Sequence, residues 1–171
     1  LPQEAWLGPC RFHVDERVIV PRSFIAELLR QPSPFGFKAP ERVQSVLDLC
    51  TGGGSLAILA ALTFPNATVD AVDTSLDALE VAHLNVEAYG LTGRVFPIES
   101  DLFAALTQQR YDLIIANPPY VDADSMAELP DEYRAEPVAA LASGGDGLDH
   151  THRILADAKS HLEPRGRLVV E

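Results

Sequence analysis

A chain of 171 residues suits one domain with a substantial core. Hydrophobic residues at 47% and charged residues at 22% are ordinary for a soluble globular protein. The apolar runs are too short for a membrane span, and residues 1–11 lack the basic segment and apolar run of a signal peptide. The net charge of -12, from 25 Asp and Glu against 13 Lys and Arg, argues against direct DNA binding, which rests on neutralising phosphates. It suits a basic partner, or simply solubility.

Residues 12–20 read as an extended lead-in, Pro21 opens a helix over 23–30, and 31–40 is a link bearing Pro and Gly. From there β-rich runs alternate with helical ones, the pattern of an α/β domain with a mostly parallel sheet and helices on both faces. Strands are predicted over 45–49, 68–73, 94–99, 111–116 and 167–171, and helices over 55–64, 75–89 and 148–162. The second helix has Leu79, Ala82, Val86 and Tyr89 at helical spacing, Thr74 or Ser75 to cap it and Gly90 to close it. Pro164 and Gly166 are read as the stop of the third. The division expected is a lead-in over 1–40 and a catalytic domain over 41–171. Both ends read as cut, since residue 1 is Leu and Arg167-Leu168-Val169-Val170-Glu171 is a strand without a following turn.

The first strand ends in Asp48-Leu49-Cys50-Thr51-Gly52-Gly53-Gly54-Ser55. Glycines let the chain turn sharply and admit a ligand to the backbone, and the next helix offers unpaired N–H groups. Asp73, ending the second strand, has the acceptor-only chemistry that ribose hydroxyls need. On these residues alone a methyl-donor nucleotide site, a dinucleotide site and a plain glycine turn all stay open, because Gly52-x-Gly54-x-x-Ala57 also fits the dinucleotide fingerprint. Asp48 could help hold a cationic cofactor. Asp101 could accept from an adenine amine, with Leu102 over the ring, although a helix cap is the simpler role for a lone Asp101.

Asn117-Pro118-Pro119-Tyr120 follows the fourth strand, at the edge where open α/β sheets collect ligands. Two prolines lack N–H groups and stiffen the corner. The Asn117 side-chain oxygen and the Pro118 carbonyl are then two fixed acceptors for the hydrogens of a planar NH2 group. Tyr120 can pack on its face, and positive charge developing on nitrogen is stabilised. The other reading is a rigid turn with an aromatic plug. His13, His83, His150, His152 and His161 form no zinc pattern, so no metal is expected. No G-x-S-x-G elbow exists. Cys50 reads as a small loop residue, and with Cys10 it makes no disulfide framework, which suits a reducing cytoplasm. The long connection over 117–147 is of a length that is usually functional.

Taken together, Asp48–Gly54, Asp73, Asp101 and Asn117–Tyr120 resemble the HemK-type protein-(glutamine) methyltransferases, bacterial enzymes with a Rossmann-like class I fold that use S-adenosylmethionine. The resemblance extends to Val20-Pro21-Arg22, to Glu136-Pro137 and to Gly144-Gly145-Asp146-Gly147-Leu148-Asp149. Asn-Pro-Pro-Tyr alone is shared with DNA adenine methyltransferases. Release-factor enzymes carry Pro-Arg-Pro-Asp-Thr-Glu; here Pro21-Arg22-Ser23-Phe24-Ile25-Ala26-Glu27 is similar to the branch acting on large-subunit ribosomal protein L three. Asp48-Leu49-Cys50-Thr51-Gly52 and Leu129-Pro130-Asp131-Glu132-Tyr133-Arg134 are similar to it too, with Gly53 and Ser55 departing from its Ser and Cys.

The resemblance implies cofactor contacts at Thr51, Gly52, Gly53, Gly54, Asp73, Leu102 and Asn117, and a glutamine held by Asn117, Pro118, Pro119 and Tyr120. It also implies an N-terminal helical domain and further strands outside this sequence. Release-factor methylation, DNA adenine methylation and cofactor binding without activity are the alternatives. Six acids between Asp122 and Glu136, against Arg134 alone, are expected to steer a Lys/Arg-rich substrate, or else form a solvated loop.

Overall fold

The computed structural model describes residues 3–119 and 148–171. It opens on an antiparallel hairpin of β1 (Glu4–Leu7) and β2 (Cys10–His13), paired from Glu4↔His13 to Leu7↔Cys10. Gly8 takes a positive φ of 59° at the first position of the two-residue loop, as a type II′ turn requires. The expected extended lead-in is thus corrected: the chain pairs with itself, then turns again where the Val18 N–H donates to the Asp15 carbonyl. Gly8-Pro9 between alternating exposed and buried residues is a hairpin signal.

Helix α1 (Phe24–Leu29) follows, with the Ser23 side chain accepting from the Ile25 N–H. Two short 3-10 turns, Pro34–Gly36 and Pro40–Arg42, lead to β3 (Ser45–Leu49). Then come α2 (Ser55–Thr63), β4 (Thr68–Asp73), α3 (Leu76–Ala88), β5 (Val95–Glu99) and β6 (Tyr111–Ala116). Helix α4 (Asp149–Asp157) tightens into a 3-10 turn, Ala158–His161, before β7 (Leu162–Val170).

Among the described residues five strands form one sheet in the order β5-β4-β3-β6-β7, and every neighbouring pair is parallel. The chain winds outward from β3 to β5 and returns to β6 beside β3, so strand order reverses between β3 and β6. That is the crevice where doubly wound folds bind ligands.

Both faces of the sheet are covered, which is why β3 and β6 read as near-continuous apolar runs. Val46, Val69, Ala71, Leu113 and Ile115 pack under α1 and α2, while Leu47, Leu49, Val72, Ile114 and Ala116 pack against Leu102, Phe103, Leu106 and α4 through Ile154. The last strand begins earlier than 167. Pro164 and Gly166 lie inside it, where the pairing with β6 jumps from Tyr111↔Leu162 to Leu113↔Arg167. A Cβ at Gly166 would stand 2.8 Å from the Tyr111 carbonyl oxygen, so this residue lets the irregular strand close on β6. No helix among the described residues is long and apolar enough to cross a membrane.

The C-terminal end of α2 owes its satisfaction to a distant residue. The half-buried Arg94 guanidinium donates to the carbonyl of Ala61, which the helix end leaves without a backbone partner, and to those of Phe64 and Ala67 in the turn that follows, at 2.9, 2.9 and 3.0 Å. Arg94→Ala is expected to lower the unfolding free energy by about 2 kcal/mol, read from urea denaturation. Arg94→Lys should recover less than half of that, because an ammonium lacks the planar fork.

Candidate functional site

One cleft opens at the carboxyl ends of the strands, with an interior volume of about 190 Å³, more than ten times what one water needs. Its floor is Cys50–Gly53 and Ser55 after β3, and Asp73–Ser75 after β4. One side is Ser100, Asp101 and Leu102 after β5; Asn117 and Pro119 follow β6. The opposite wall is the lead-in from Arg17 to Ser23.

The glycine loop extends the sheet by one step. The Thr51 N–H donates to the Val72 carbonyl at 2.9 Å, and the Gly52 N–H donates to Asp73 Oδ2 at 2.9 Å. Asp73 Oδ1 accepts from the Ser75 N–H at 3.0 Å, the short-range bond with which Asp opens a turn. Ser75 Oγ in turn caps α3 by accepting from the Ala78 N–H. The carboxylate is therefore aimed before any ligand arrives. Gly52 has φ 56° and a Cβ there would meet nothing within 4 Å, whereas one at Gly54 would stand 3.1 Å from the Ala82 Cβ. Gly52 thus leaves its space to the cleft, and Gly54 leaves its space to α3.

Two non-glycine residues lining the cleft also have positive φ, Cys50 at 57° and Leu102 at 51°. Such backbone is sparsely populated and needs surrounding support. At Leu102 the support is the buried Ser100, whose hydroxyl donates to the Leu102 carbonyl at 2.6 Å and accepts from the Ala105 N–H at 3.0 Å. Asp101 lines the cleft in an ion pair, Oδ1 to Arg153 of α4 at 2.9 Å. That hydrogen bond lowers its pKa. An amine reaching Asp101 would therefore meet a carboxylate already shared with a guanidinium.

Asn117 Nδ2 donates to the Arg22 carbonyl at 3.2 Å. The segment before α1 brings that carbonyl here because the Glu171 side chain, just past β7, holds the start of α1. Glu171 accepts from Ser23 Oγ and, at 3.0 Å, from the Phe24 N–H. Pro118 is buried and Pro119 borders the cleft. Tyr120, the acids from Asp122 to Glu136, and the Glu136-Pro137 and 144–147 motifs lie outside the described residues. Of the residues singled out from sequence, the fold gathers Thr51, Gly52, Gly53, Asp73, Asp101, Leu102, Asn117 and Pro119 on one cleft. Asp48 and Gly54 lie beneath it. Sequence reasoning passes over Ser100, Glu171, the Arg22 carbonyl and Asn85 of α3. Among the described residues no group of His, Cys, Asp and Glu is arranged to hold a metal ion.

The sequence model of the methyltransferase small domain family matches residues 36–148. The chain belongs to that family. A ribosomal protein uL3 glutamine methyltransferase of Burkholderia pseudomallei is 58% identical over 178 aligned residues, covering 100% of this chain and 58% of the relative. A relative of the same name from Bradyrhizobium diazoefficiens is 60% identical over 168 residues, covering 94% of this chain and 52% of the relative. The chain thus spans somewhat more than half the length of these curated relatives. A solved methyltransferase from Pyrococcus furiosus shares the fold, with a TM-score of 0.63 at 19% identity, over 93% of this chain and 67% of that one.

The floor of this methyltransferase small domain hides a buried acid. Asp48 is 1% exposed. Thr51 Oγ1 donates to its Oδ2 at 2.6 Å, while Oδ1 has no hydrogen-bond partner among the described residues. Burial pushes its pKa up to about 7; the Thr51 bond opposes this and the nearby Asp73 charge adds to it. An unfolded Asp releases its proton near 3.8. Between about 4 and about 7 the folded chain therefore binds the extra proton, and raising the pH through that window removes stability. The lowered pKa values of Asp15 and Asp101, set first by Arg17 and Arg153, act in the opposite sense and below that window. Asp48→Asn is expected to flatten the decline between pH 4 and 7, measured by denaturant unfolding at several pH values. An unchanged slope would remove Asp48 as its source.

Proposed function

We propose that the protein transfers a methyl group from S-adenosylmethionine to the side-chain amide nitrogen of a glutamine in ribosomal protein uL3. The observation that carries this reading is the meeting, at one switch point, of a glycine loop with a pre-aimed Asp73 and an Asn117 whose NH2 is already engaged by the Arg22 carbonyl. The similarity to uL3 glutamine methyltransferases over the whole of this chain supports the substrate. In this reading residues 41–171 carry the catalytic domain, and residues 1–40 lead into it and wall its cleft.

The residues present suit the cofactor. The open space at Gly52 lets a ligand lie against backbone, and Thr51 to Gly54 form the turn that cradles it. Asp73 offers its carboxyl oxygens as acceptors for ribose hydroxyls. Asp101 and Leu102 border the adenine side, with Leu102 supplying apolar cover. Asp48 acts from below by holding Thr51. When bound, S-adenosylmethionine supplies an electrophilic methyl group on a cationic sulfur.

An amide nitrogen is a poor nucleophile because its lone pair is delocalised into the carbonyl. With the Asn117 NH2 donating to Arg22, its Oδ1 is left as an acceptor for the glutamine NH2. The Pro118 carbonyl is assigned the second hydrogen, and Tyr120 the flat face of the amide. Two fixed acceptors orient the nitrogen and stabilise the positive charge it gains, an effect typically worth about 100- to 1000-fold in rate. Pro118 and Pro119 offer no competing N–H. A basic protein partner suits the chain's acidity, and a ribosomal substrate implies a cytoplasmic protein.

Full-length enzyme with labelled cofactor should label purified uL3 and leave a release factor unlabelled, with mass spectrometry locating the methyl group on a glutamine; the reverse preference would overturn the substrate assignment. Asn117→Ala should cut turnover by about 100-fold or more with little change in S-adenosylhomocysteine binding. Asp73→Ala should instead weaken that binding, measured by calorimetry, and neither protein should bind NAD.

A further inference from the structure

Helix α3 turns Ala78, Val81, Ala82 and Val86 inward, and the one polar residue on that face is Asn85, 2% exposed. Its Oδ1 accepts from the His13 N–H at 2.7 Å. Its Nδ2 donates to the His13 carbonyl at 3.1 Å and to the Gly53 carbonyl at 2.8 Å. Of the uncharged side chains, only a carboxamide offers two donors and an acceptor on so short a stem. In a water-poor interior each of these bonds is costly to lose.

The Gly53 carbonyl belongs to the peptide joining Gly53 to Gly54, and the N–H of that peptide donates to the Thr51 carbonyl at 3.0 Å. Both ends of this one peptide plane are therefore tied, one by Asn85. The plane is flanked by Gly53 and Gly54, which carry no Cβ to restrict them, and Gly52 and Gly54 have positive φ, so this plane sets the course of the loop. The same amide grips His13, the last residue of β2, from which the lead-in continues to the opposite wall at Val18 to Ser23. We infer that Asn85 is a positioning residue of the cofactor site, which locks the Gly53–Gly54 peptide and joins the hairpin wall to the glycine floor. Asn85 borders the cleft, and it acts through the backbone it holds.

This inference rests on the reading of the cleft as an S-adenosylmethionine site, and the test separates the two. With the full-length protein, S-adenosylhomocysteine binding is measured by calorimetry for the wild type, Asn85→Ala and Val86→Ala. Val86 is equally buried and packs in the main core beside α2, so it reports general loosening of α3. Both variants should melt earlier, but Asn85→Ala alone should raise Kd by about tenfold or more, with Val86→Ala within about twofold. Should Asn85→Ala not fold, Asn85→Ser, whose hydroxyl can make one of the three bonds, must show the same preferential loss. Near-normal binding by the Asn85 variants, or an equal loss in Val86→Ala, would overturn the positioning role while leaving the cofactor reading intact. A wild-type chain that binds no S-adenosylhomocysteine would remove both.

Discussion

The Gly52 N–H donates to Asp73 Oδ2 at 2.9 Å, joining the loops that leave two neighbouring parallel strands. Strand pairing between β3 and β4 reaches Leu49↔Val72, and the Thr51 N–H carries the ladder one residue further. Beyond that the backbones diverge, since one must enter α2 and the other α3. The Asp73 side chain then replaces a backbone acceptor and keeps the glycine loop in the plane of the sheet. With its second oxygen it organises the turn into α3. Loop floor and the Asp73 carboxylate are thus one hydrogen-bonded unit, and the cleft inherits its shape from the sheet.

The polar groups around that unit are held at some cost. Asp48 lies in the core with an oxygen that no described residue satisfies, and burial raises its pKa, where an apolar residue of similar size would pack without penalty. Cys50 and Leu102 occupy left-handed backbone. Burial also pushes the Cys50 thiol up. Among the described residues two of the four left-handed non-glycine positions, Cys50 and Leu102, thus gather with a buried acid at the strand ends around the cleft, a cost of the kind that clusters where ligands bind.

The sheet was legible because its strands are short β-branched runs bounded by Gly, Pro and Asp. Predicted and observed limits agree for 45–49, 68–73 and 111–116. The cleft residues were legible because glycine, acid and Asn-Pro-Pro each mark a strand end. Legibility failed where the cause is long-range. Pro164 reads locally as a stop, but β6 recruits the segment into a strand whose register slips to accept it. Glu171 is one acid after a strand, and nothing nearby announces that it will hold a helix 147 positions earlier. Asn85 did leave a signal: positions 78, 81, 82, 85 and 86 repeat at core spacing, and a carboxamide there breaks the apolar pattern. A polar residue at a core position implies partners.

The arrangement at Asn117 also bears on how a methyl-acceptor amide would be told from its acid. A free carboxamide can rotate to present either its oxygen or its NH2, so on its own it selects nothing. Bonding of Nδ2 to the Arg22 carbonyl removes that ambiguity and turns the residue into an acceptor, beside two prolines that contribute no donor. Such a corner is matched to an NH2 group. A glutamate in the same place would set carboxylate oxygens against carbonyl oxygens, leaving buried acceptors unpaired and repelling. Sites built on obligatory hydrogen bonds reject the analogue that lacks them by about 10⁴-fold or more, well beyond what shape achieves between groups of nearly equal size. In the proposed reading, selectivity for the amide therefore begins two residues before α1, at a backbone carbonyl whose position Glu171 maintains.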